Sequence, residues 1–188
     1  MQGFPRIIVG YHGCARLLAE KLLSGRMPVR RWPTSENAYD WLGRGIYFWE
    51  HAPARAWEWA KQRHGKNAAI VGAVLVLGDC FDLTEIEFTK LLGAAYLRLR
   101  RNFESHGENL PRNAGRTPLR ERRELDCLVI NYCIEGIQAA SGPRYDTVRS
   151  PFWEGPEAFP GSMFQRESHI QIAVRNPNCI KGVFRPNY

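Results

Sequence analysis

Apolar positions recur with two different periods along the chain, and the change from one to the other predicts a mixed α+β protein. Residues 6–11 form a short β-branched run, which predicts a strand that ends by presenting His12 and Gly13. Residues 14–24 carry leucines at helical spacing ahead of Gly25, which is typical of a helix that glycine terminates. The chain is therefore predicted to open as strand, His-Gly, helix.

The next fifty residues predict a second strand, helix and strand after a long loop. Two prolines and several short polar residues in 26–42 indicate a loop whose length is typical of functional segments. Residues 45–49 then predict a strand, and 52–65 a helix that Pro53 can start at its first turn. Residues 69–77 are almost all apolar, which favours a strand that is covered on both faces or central to the sheet.

The second half of the chain is predicted to be helical first and extended afterwards. Thr84 and Glu87 match a capping box at the start of one helix, and apolar positions between Leu125 and Ile137 predict another that ends at Gly142. Extended segments are then expected at residues 146–153, 168–174 and 179–184.

Composition limits the class of protein. A chain of 188 residues with 44% hydrophobic residues fits one globular domain. No run of 18 apolar residues occurs, and the N-terminus does not resemble a signal peptide, so we expect a cytoplasmic protein with no membrane partner. The five cysteines include no C-x-x-C pair, which favours reduced thiols and predicts no metal site.

Positive charge is concentrated in one segment. The chain has a net charge of +7, and residues 98–123 contain eight arginines against three glutamates. Such a segment suggests an anionic partner, and nucleic acid is the first candidate. A solvated helix face or an acidic protein partner would explain the same arginines.

Three short motifs resemble those of one enzyme family. Tyr-His-Gly at residues 11–13, Leu-Gly-Arg-Gly-Ile-Tyr-Phe at 42–48 and Glu-Ser-His-Ile-Gln-Ile at 167–172 occur in the order found in poly(ADP-ribose) polymerase-like, or diphtheria-toxin-like, ADP-ribosyltransferases. Small bacterial members of this family are especially similar. The resemblance implies an α+β fold with a split β-sheet core. Residues 84–142 match nothing in it, which implies a helical insertion within a single domain.

The resemblance also implies an NAD site, with NAD as substrate and no metal. In the family, the backbone at the position of Gly13 pairs with the nicotinamide carboxamide, and the histidine at the position of His12 bonds a ribose hydroxyl. The tyrosine at the position of Tyr47 stacks on the nicotinamide ring, and an aromatic residue on the next helix closes its other side. The remaining positions that the resemblance places near the ligand are Ser35, Asn37, Tyr39 and Gly45 on the loop before Tyr47, and Trp57 or Trp59 on the helix.

A third catalytic element belongs to the last motif. Family members of the polymerase type carry a glutamate at the start of a late strand, where it contacts the nicotinamide ribose. Glu167, His169 and Gln171 alternate along the predicted strand and should share one face, with Ile170, Ile172 and Val174 facing the core. Glu167 is the only anion of the three, but which residue meets the ribose stays open. Glu50 and Glu154 are further acids near the expected cleft, and each is predicted to be a surface or capping group.

We therefore expect a mono-ADP-ribosyltransferase that modifies a macromolecule, because family members without the glutamate generally do not make polymer. RNA, DNA or a nucleic-acid-binding protein is the first acceptor to test. A toxin-like role would add an antitoxin or immunity protein as a partner and would allow delivery to a target cytoplasm. The alternative is a catalytically silent module of the same fold that binds NAD, ADP-ribose or nucleic acid.

Overall fold

The computed structural model describes residues 6–115 and 121–187. Within these ranges the chain forms one seven-stranded, mostly antiparallel sheet and four α-helices, so the fold is α+β as predicted. The strands are β1 (Ile7–Ala15), β2 (Ile46–Glu50), β3 (Ala68–Val76), β4 (Cys80–Asp82), β5 (Thr147–Phe152), β6 (His169–Val174) and β7 (Ile180–Phe184). The helices are α1 (Arg16–Leu23), α2 (Pro53–His64), α3 (Ile86–Ser105) and α4 (Glu124–Ala139).

The order of the strands in the sheet is β4-β5-β6-β2-β1-β3-β7. Only β4 and β5 are parallel among the described strands, and every other neighbouring pair is antiparallel. Strands β6, β2 and β1 lie side by side at the centre. They carry the three motifs of the resemblance, which are therefore brought together although they are more than 150 residues apart at their extremes.

The two faces of the sheet are covered by different helices. Helix α1 packs on one face, which we call the first face, where its Leu22 meets Phe48, Leu75 and Ile172 in one buried cluster. The apolar side chains of α1 supply this contact because they fall on one stripe of the helix. The first face contains the largest buried cluster of strand residues and fixes the register of the sheet.

The opposite, second face is covered in two separate parts. Helix α2 lies over β1 and β3, where Ala56 packs with Trp49 and Ile70. Helices α3 and α4 pack on each other and on β4, β5 and β6, in a cluster that includes Leu99 and Ile134. Side chains of β2 and β6 lie between these two helical layers, and Trp49, His169 and Gln171 are buried there.

Most predicted elements are present, but several boundaries are wrong. Strand β1 does not stop before His12; it continues through His12 and Gly13 to Ala15, because all nine of its residues pair with β3. The short strand β4 was not predicted, since three residues are too few to show a period. None of the helices in the described chain is long and apolar enough to cross a lipid bilayer.

The capping box predicted at Thr84 is also wrong. The Thr84 hydroxyl donates a hydrogen bond of 2.8 Å to Asp82, and α3 begins two residues later with Glu85 as its N-cap. Asp82 is buried and also accepts a hydrogen bond from Arg6. Its carboxylate therefore binds the Thr84 hydroxyl in place of the backbone N–H groups at the start of α3. The helix therefore starts without a side-chain cap.

Glu50, at the end of β2, belongs to a buried charge network rather than to the protein surface. Arg149 on β5 makes hydrogen bonds of 2.7 and 3.1 Å to the two carboxylate oxygens of Glu50 and also contacts Asp82 at 3.2 Å. Strand β6 lies between β2 and β5, so this network joins two strands that are not neighbours. We call Glu50, Asp82 and Arg149 the charge network.

Candidate functional site

The ladder between β1 and β2 stops at the position of the motifs. The two strands pair at Gly10–Glu50 and Tyr11–Trp49, and among the described residues no further pair follows. Backbone hydrogen bonds in an antiparallel ladder recur at every second residue. The His51 N–H donates to the Val9 carbonyl, so the hydrogen-bonded pairs are Val9–His51 and then Tyr11–Trp49. In a continuous ladder, the next hydrogen-bonded pair would join Gly13 and Tyr47. We call this break in the sheet the split.

The side chain of His12 takes the place of Gly13 at the split. Its Nδ1 lies 2.7 Å from the carbonyl oxygen of Tyr47, the atom that the Gly13 N–H would bond in a continuous ladder. A carbonyl only accepts, so Nδ1 carries the hydrogen and Nε2 is an acceptor. Burial lowers the pKa of His12 to about 4, outweighing the hydrogen bond to Tyr47, so the ring is neutral at neutral pH.

The backbone of Gly13 consequently has no ladder partner on this side. Its N–H and C=O point toward β2, as those of Val9 do two pairs earlier, and no hydrogen bond to them from β2 occurs in the described chain. An amide group of a ligand would satisfy both, because it offers one donor and one acceptor in the same arrangement.

The glycines of the motifs are also required by contacts within the protein. A Cβ on Gly13 would lie 2.4 Å from the carbonyl oxygen of Ala56 on α2, and one on Gly45 would lie 2.8 Å from the Cβ of Ala173. Gly43 has a φ of 72°, which disfavours any other residue, and approaches Asn131. These packing reasons are independent of a ligand.

The loop before β2 closes the far side of the split. Ser35 exchanges two backbone hydrogen bonds with Gly45, at the edge of β2 that faces β1. Ser35 and Gly45 therefore lie beside Tyr47. Tyr39 lies elsewhere: it is on the surface, with the guanidinium of Arg122 5.1 Å from the centre of its ring.

Tyr47 points to the second face and is held by its hydroxyl. The hydroxyl donates to the carbonyl of Gly43 at 2.5 Å and accepts from the N–H of Leu42 at 2.8 Å. Burial raises the pKa of Tyr47 well above its usual value. The ring is thus fixed in one orientation at the entrance to the strand.

The structure distinguishes the two tryptophans of α2. Trp59 faces the site: its ring atom Cε3 lies 3.1 Å from the position of a Cβ on Gly13, and its centre is 5.8 Å from that of Trp49. Trp57 packs against the buried cluster of Trp49, Ala56 and Ile70, and the Lys61 ammonium lies 5.9 Å from the centre of its ring. Helical spacing alone could not separate them, because both positions flank the buried Ala56 and Ala60.

The three candidates for the third element are placed differently. His169 and Gln171 are buried on β6 and share the second face with Trp49, as their pairing with Phe152 and Trp49 shows. Ile172 and Val174 are buried on the first face, which confirms that part of the prediction. Glu167 was wrongly assigned to the strand, because β6 begins at His169.

Glu167 lies instead at the base of a hairpin. Its carboxylate is 3.4 Å from Arg55 of α2, and Glu154, on the other arm of the hairpin, is 2.7 Å from the same guanidinium. The side chain of Glu154 is only 19% exposed, so it is neither a surface nor a capping group. Arg55 also pairs with Glu58 on its own helix, at 2.7 Å. Sequence reasoning missed Arg55, because Glu154 is 99 positions away in the sequence.

Aromatic side chains surround His169. The centres of the Trp41, Trp49 and Phe152 rings lie 6.4, 6.3 and 5.9 Å from the centre of its imidazole. Trp49 was also missed, although period two places it on the same face as Tyr47 and would have revealed it. Burial lowers the pKa of His169 to about 4, against the hydrogen bond from its ring to the Glu167 carbonyl, so this imidazole is also neutral.

Two cavities flank α4 beyond the split. One of about 370 Å³ is lined by Asn37, Arg44 and Asn131, and another of about 400 Å³ reaches Trp41 and Phe152. Neither is lined by His12 or Tyr47. In residues 6–115 and 121–187, no group of three His, Cys, Asp or Glu side chains is arranged to hold a metal ion.

Comparison with known proteins supplies no chemistry for the site. The chain is 28% identical over 205 residues to an uncharacterized protein of Methanocaldococcus jannaschii, covering 96% of this chain and 87% of that protein. No family model matches the chain. No solved structure matches it either.

Proposed function

We propose that the chain binds NAD at the split and transfers ADP-ribose to a macromolecule as a mono-ADP-ribosyltransferase. One observation carries the proposal: His12 takes the Tyr47 carbonyl, so the Gly13 N–H and C=O face an interrupted ladder at the position where the motifs meet. The nicotinamide carboxamide has the donor and acceptor that this backbone edge lacks. In this proposal the fold belongs to the split-sheet ADP-ribosyltransferases, with α3 and α4 as the addition.

The aromatic residues would hold the nicotinamide ring. Tyr47 is fixed by two hydrogen bonds on the β2 side of the split. Trp59 of α2 lies next to Gly13 on the β1 side. The nicotinamide of NAD is a planar cation, which aromatic faces attract. Bond cleavage neutralises this ring, so its release is favoured once the reaction has occurred.

The reaction would proceed by breaking the bond between C1′ and nicotinamide. Nicotinamide leaves with the bonding electron pair, an acceptor nucleophile bonds to C1′, and the nucleophile loses its proton. Positive charge develops on the ribose, and oriented acceptors near it lower the barrier. In this proposal the acceptors near the ribose would be the neutral side chains of His169 and Gln171 on β6, because Glu167 is paired with Arg55. The absence of a carboxylate from the described part of β6 favours a single transfer over polymer formation.

Nicotinamide release tests this proposal directly. The purified protein is incubated with NAD, with and without cell lysate, and nicotinamide is measured by chromatography. Tyr47→Phe keeps the ring but loses both hydroxyl hydrogen bonds, so we expect release to fall about tenfold, the effect of roughly 1.4 kcal/mol. Tyr132→Phe, on α4, is the matched control and should leave the rate unchanged.

The second candidate function is a module that binds NAD without cleaving it. Strand β6 carries no carboxylate, which favours such a module over a polymerase. NAD that binds but stays intact in every lysate would assign this role. NAD that neither binds nor reacts would contradict both versions of the proposal.

Nucleic acid is the acceptor that the surface charge supports. Arg98 and Arg101 lie three residues apart on α3, are exposed, and make no ion pair with another described residue. Arg100 is paired with Glu104, and Arg123 is held inward over the rings of Trp41 and Phe152. Two further arginines of the predicted basic segment, Arg116 and Arg120, lie outside the described residues.

Changing Arg98 and Arg101 together to alanine should weaken RNA and DNA binding and make it less sensitive to salt. Each lost phosphate contact lowers the slope of log affinity against log salt by about one, so we expect a decrease of about two. Nicotinamide release without an acceptor should not change. Lys90→Ala, which removes a cation already paired with Glu87, is the control. An unaltered slope would direct the search to protein acceptors.

A further inference from the structure

The cavity of about 400 Å³ lies between α3, α4 and β5, and most of the side chains that line it are apolar. Its lining includes Leu92 and Tyr96 of α3, Val129 and Ile130 of α4, and Phe152 of β5. The volume is within the range of small-molecule binding sites. Both helices belong to residues 84–142, which match nothing in the resemblance, and His12, Gly13 and Tyr47 do not line the cavity. A ligand in this cavity is therefore an inference that does not rest on the proposed function.

Gly93 leaves one wall of the cavity open. It lies inside α3, where glycine is a poorer helix former than alanine. A Cβ on Gly93 would meet no atom of the described chain within 4 Å, so packing within that part of the protein does not require a glycine here. The missing side chain instead adds to the space that a ligand can occupy.

A half-buried cation determines which charge the ligand can carry. The guanidinium of Arg123 lines the cavity, and its Cζ lies 4.1 Å from the centre of the Trp41 ring and 4.8 Å from that of Phe152. Arg123 thus already covers the aromatic faces that would attract a cationic ligand. Burial lowers the pKa of Arg123 in spite of the charges of Asp126 and Glu154. An anionic group beside Arg123 would offset this burial.

The carboxylate of Asp126, which also lines the cavity, does not reverse this preference. It accepts a hydrogen bond of 2.6 Å from Asn113 and lies 3.7 Å from the Arg123 guanidinium. The side chain of Asp126 is 38% exposed, against 18% for Arg123, so water screens the carboxylate more than the guanidinium. The cavity therefore favours a negative group over a positive one.

We propose that this cavity binds a small apolar carboxylate, whose hydrocarbon part lies between α3 and α4 and whose carboxylate is hydrogen-bonded to Arg123. A guanidinium presents paired N–H donors that match the two oxygens of a carboxylate. Leu92, Val129 and Ile130 would remove the apolar part of the ligand from water. A water molecule takes about 30 Å³ of the liquid, so the cavity accommodates roughly ten to thirteen non-hydrogen atoms.

The first experiment tests the charge of the ligand. Octanoate, which is of the expected size, is compared by calorimetry with octanol and octylammonium, which have the same chain. We expect octanol to bind about tenfold more weakly than octanoate, and octylammonium more weakly still. Arg123→Met keeps an apolar contact with Trp41 and Phe152 and should bring the ratio of octanoate to octanol affinity to about one. This ratio removes any general effect of the variant on folding. Equal binding of octanoate and octanol by the wild type would overturn the assignment of a carboxylate.

The second experiment tests the place of binding. Gly93→Leu adds a side chain at the open wall of the cavity and should weaken octanoate binding by about tenfold or more. Gly136→Leu on α4 is the matched control, because a Cβ there also meets no described atom within 4 Å and Gly136 does not line the cavity. Both variants should fold, since leucine is a better helix former than glycine. Octanoate binding that Gly93→Leu leaves intact would place the ligand elsewhere and contradict the proposal.

Competition with NAD separates this site from the split. An excess of NAD should leave the affinity for octanoate unchanged. If NAD displaces octanoate, the cavity is part of the nucleotide site and a separate carboxylate site is wrong. If octanoate binds as expected and NAD does not bind at all, only the proposed function fails.

Discussion

Replacing His12 with alanine is expected to close the split and to reduce nicotinamide release by about a hundredfold or more, the usual effect of losing one preorganised group. The variant removes the donor to the Tyr47 carbonyl. The Tyr47 carbonyl then needs another donor, and the Gly13 N–H is the one that the register of β1 and β2 provides. Once Gly13 pairs with Tyr47, the carboxamide can no longer bind there.

Amide exchange separates this explanation from simple loss of a contact. If the ladder extends, the Gly13 amide should exchange more slowly in His12→Ala than in the wild type, because it gains a partner. The imidazole also packs against Trp32 and Phe48, at ring-centre distances of 5.0 and 5.7 Å, so some general destabilisation is expected. Destabilisation alone would make exchange faster, not slower.

The matched control is His106→Ala, since the side chain of that exposed histidine bonds, within the described chain, only to Asn102 and Ser105 of its own turn. It should alter neither nicotinamide release nor exchange at Gly13. Full activity in His12→Ala, or faster exchange at Gly13, would show that the histidine does not hold the strands apart.

The long periodic segments of the sequence predicted their elements well. Strand β3 and helix α2 begin and end within a residue or two of the predicted bounds. The long apolar run of β3 and the alanine stripe of α2 each define which residues must be buried, and therefore where the element lies. Strand β1 was predicted too short, since Tyr-His-Gly does not alternate in polarity. Its pairing with β3 overrides that local pattern.

The chemistry of the site depended more on distant contacts. Gly13 and Tyr47 were identified from motifs, and the structure places them opposite each other across the split. The role of His12 as a replacement for a ladder partner could not be predicted, because it depends on where β1 and β2 stop pairing. The ion pair between Arg55 and Glu154 could not be predicted either, because the two residues are 99 positions apart in the sequence.

Glu50 illustrates the same limit. Its position at the end of a strand in the motif suggested a surface acid, whereas its side chain is only 12% exposed and is matched by Arg149. Nothing in the local sequence around either residue indicates the other. The two residues meet across β6, which lies between their strands in the sheet.

The charge network leads to the largest effect on stability that we expect. Arg149→Met should lower the free energy of unfolding by about 3–5 kcal/mol at pH 7, because it leaves the buried Glu50 carboxylate without its cation and leaves Asp82 with Arg6 alone. The side chains of Glu50, Asp82 and Arg149 are 12%, 2% and 15% exposed, so solvent screens the pair only weakly. Urea unfolding measures the change. Arg100→Ala, which breaks an exposed pair with Glu104, should change stability by less than about 0.5 kcal/mol.

The pH dependence of stability should identify Asp82 within this network. Burial opposes its ionisation, but hydrogen bonds from Thr84 and Arg6 and the charge of Arg149 outweigh burial and lower the pKa of Asp82. A lowered folded pKa contributes stability above the unfolded value of about 3.9 and loses it as the pH falls through the folded pKa. Asp82→Asn should therefore be less stable than the wild type at pH 7, and the difference should shrink below about pH 4. A difference that stays constant down to pH 2 would show that the Asp82 charge does not stabilise the fold.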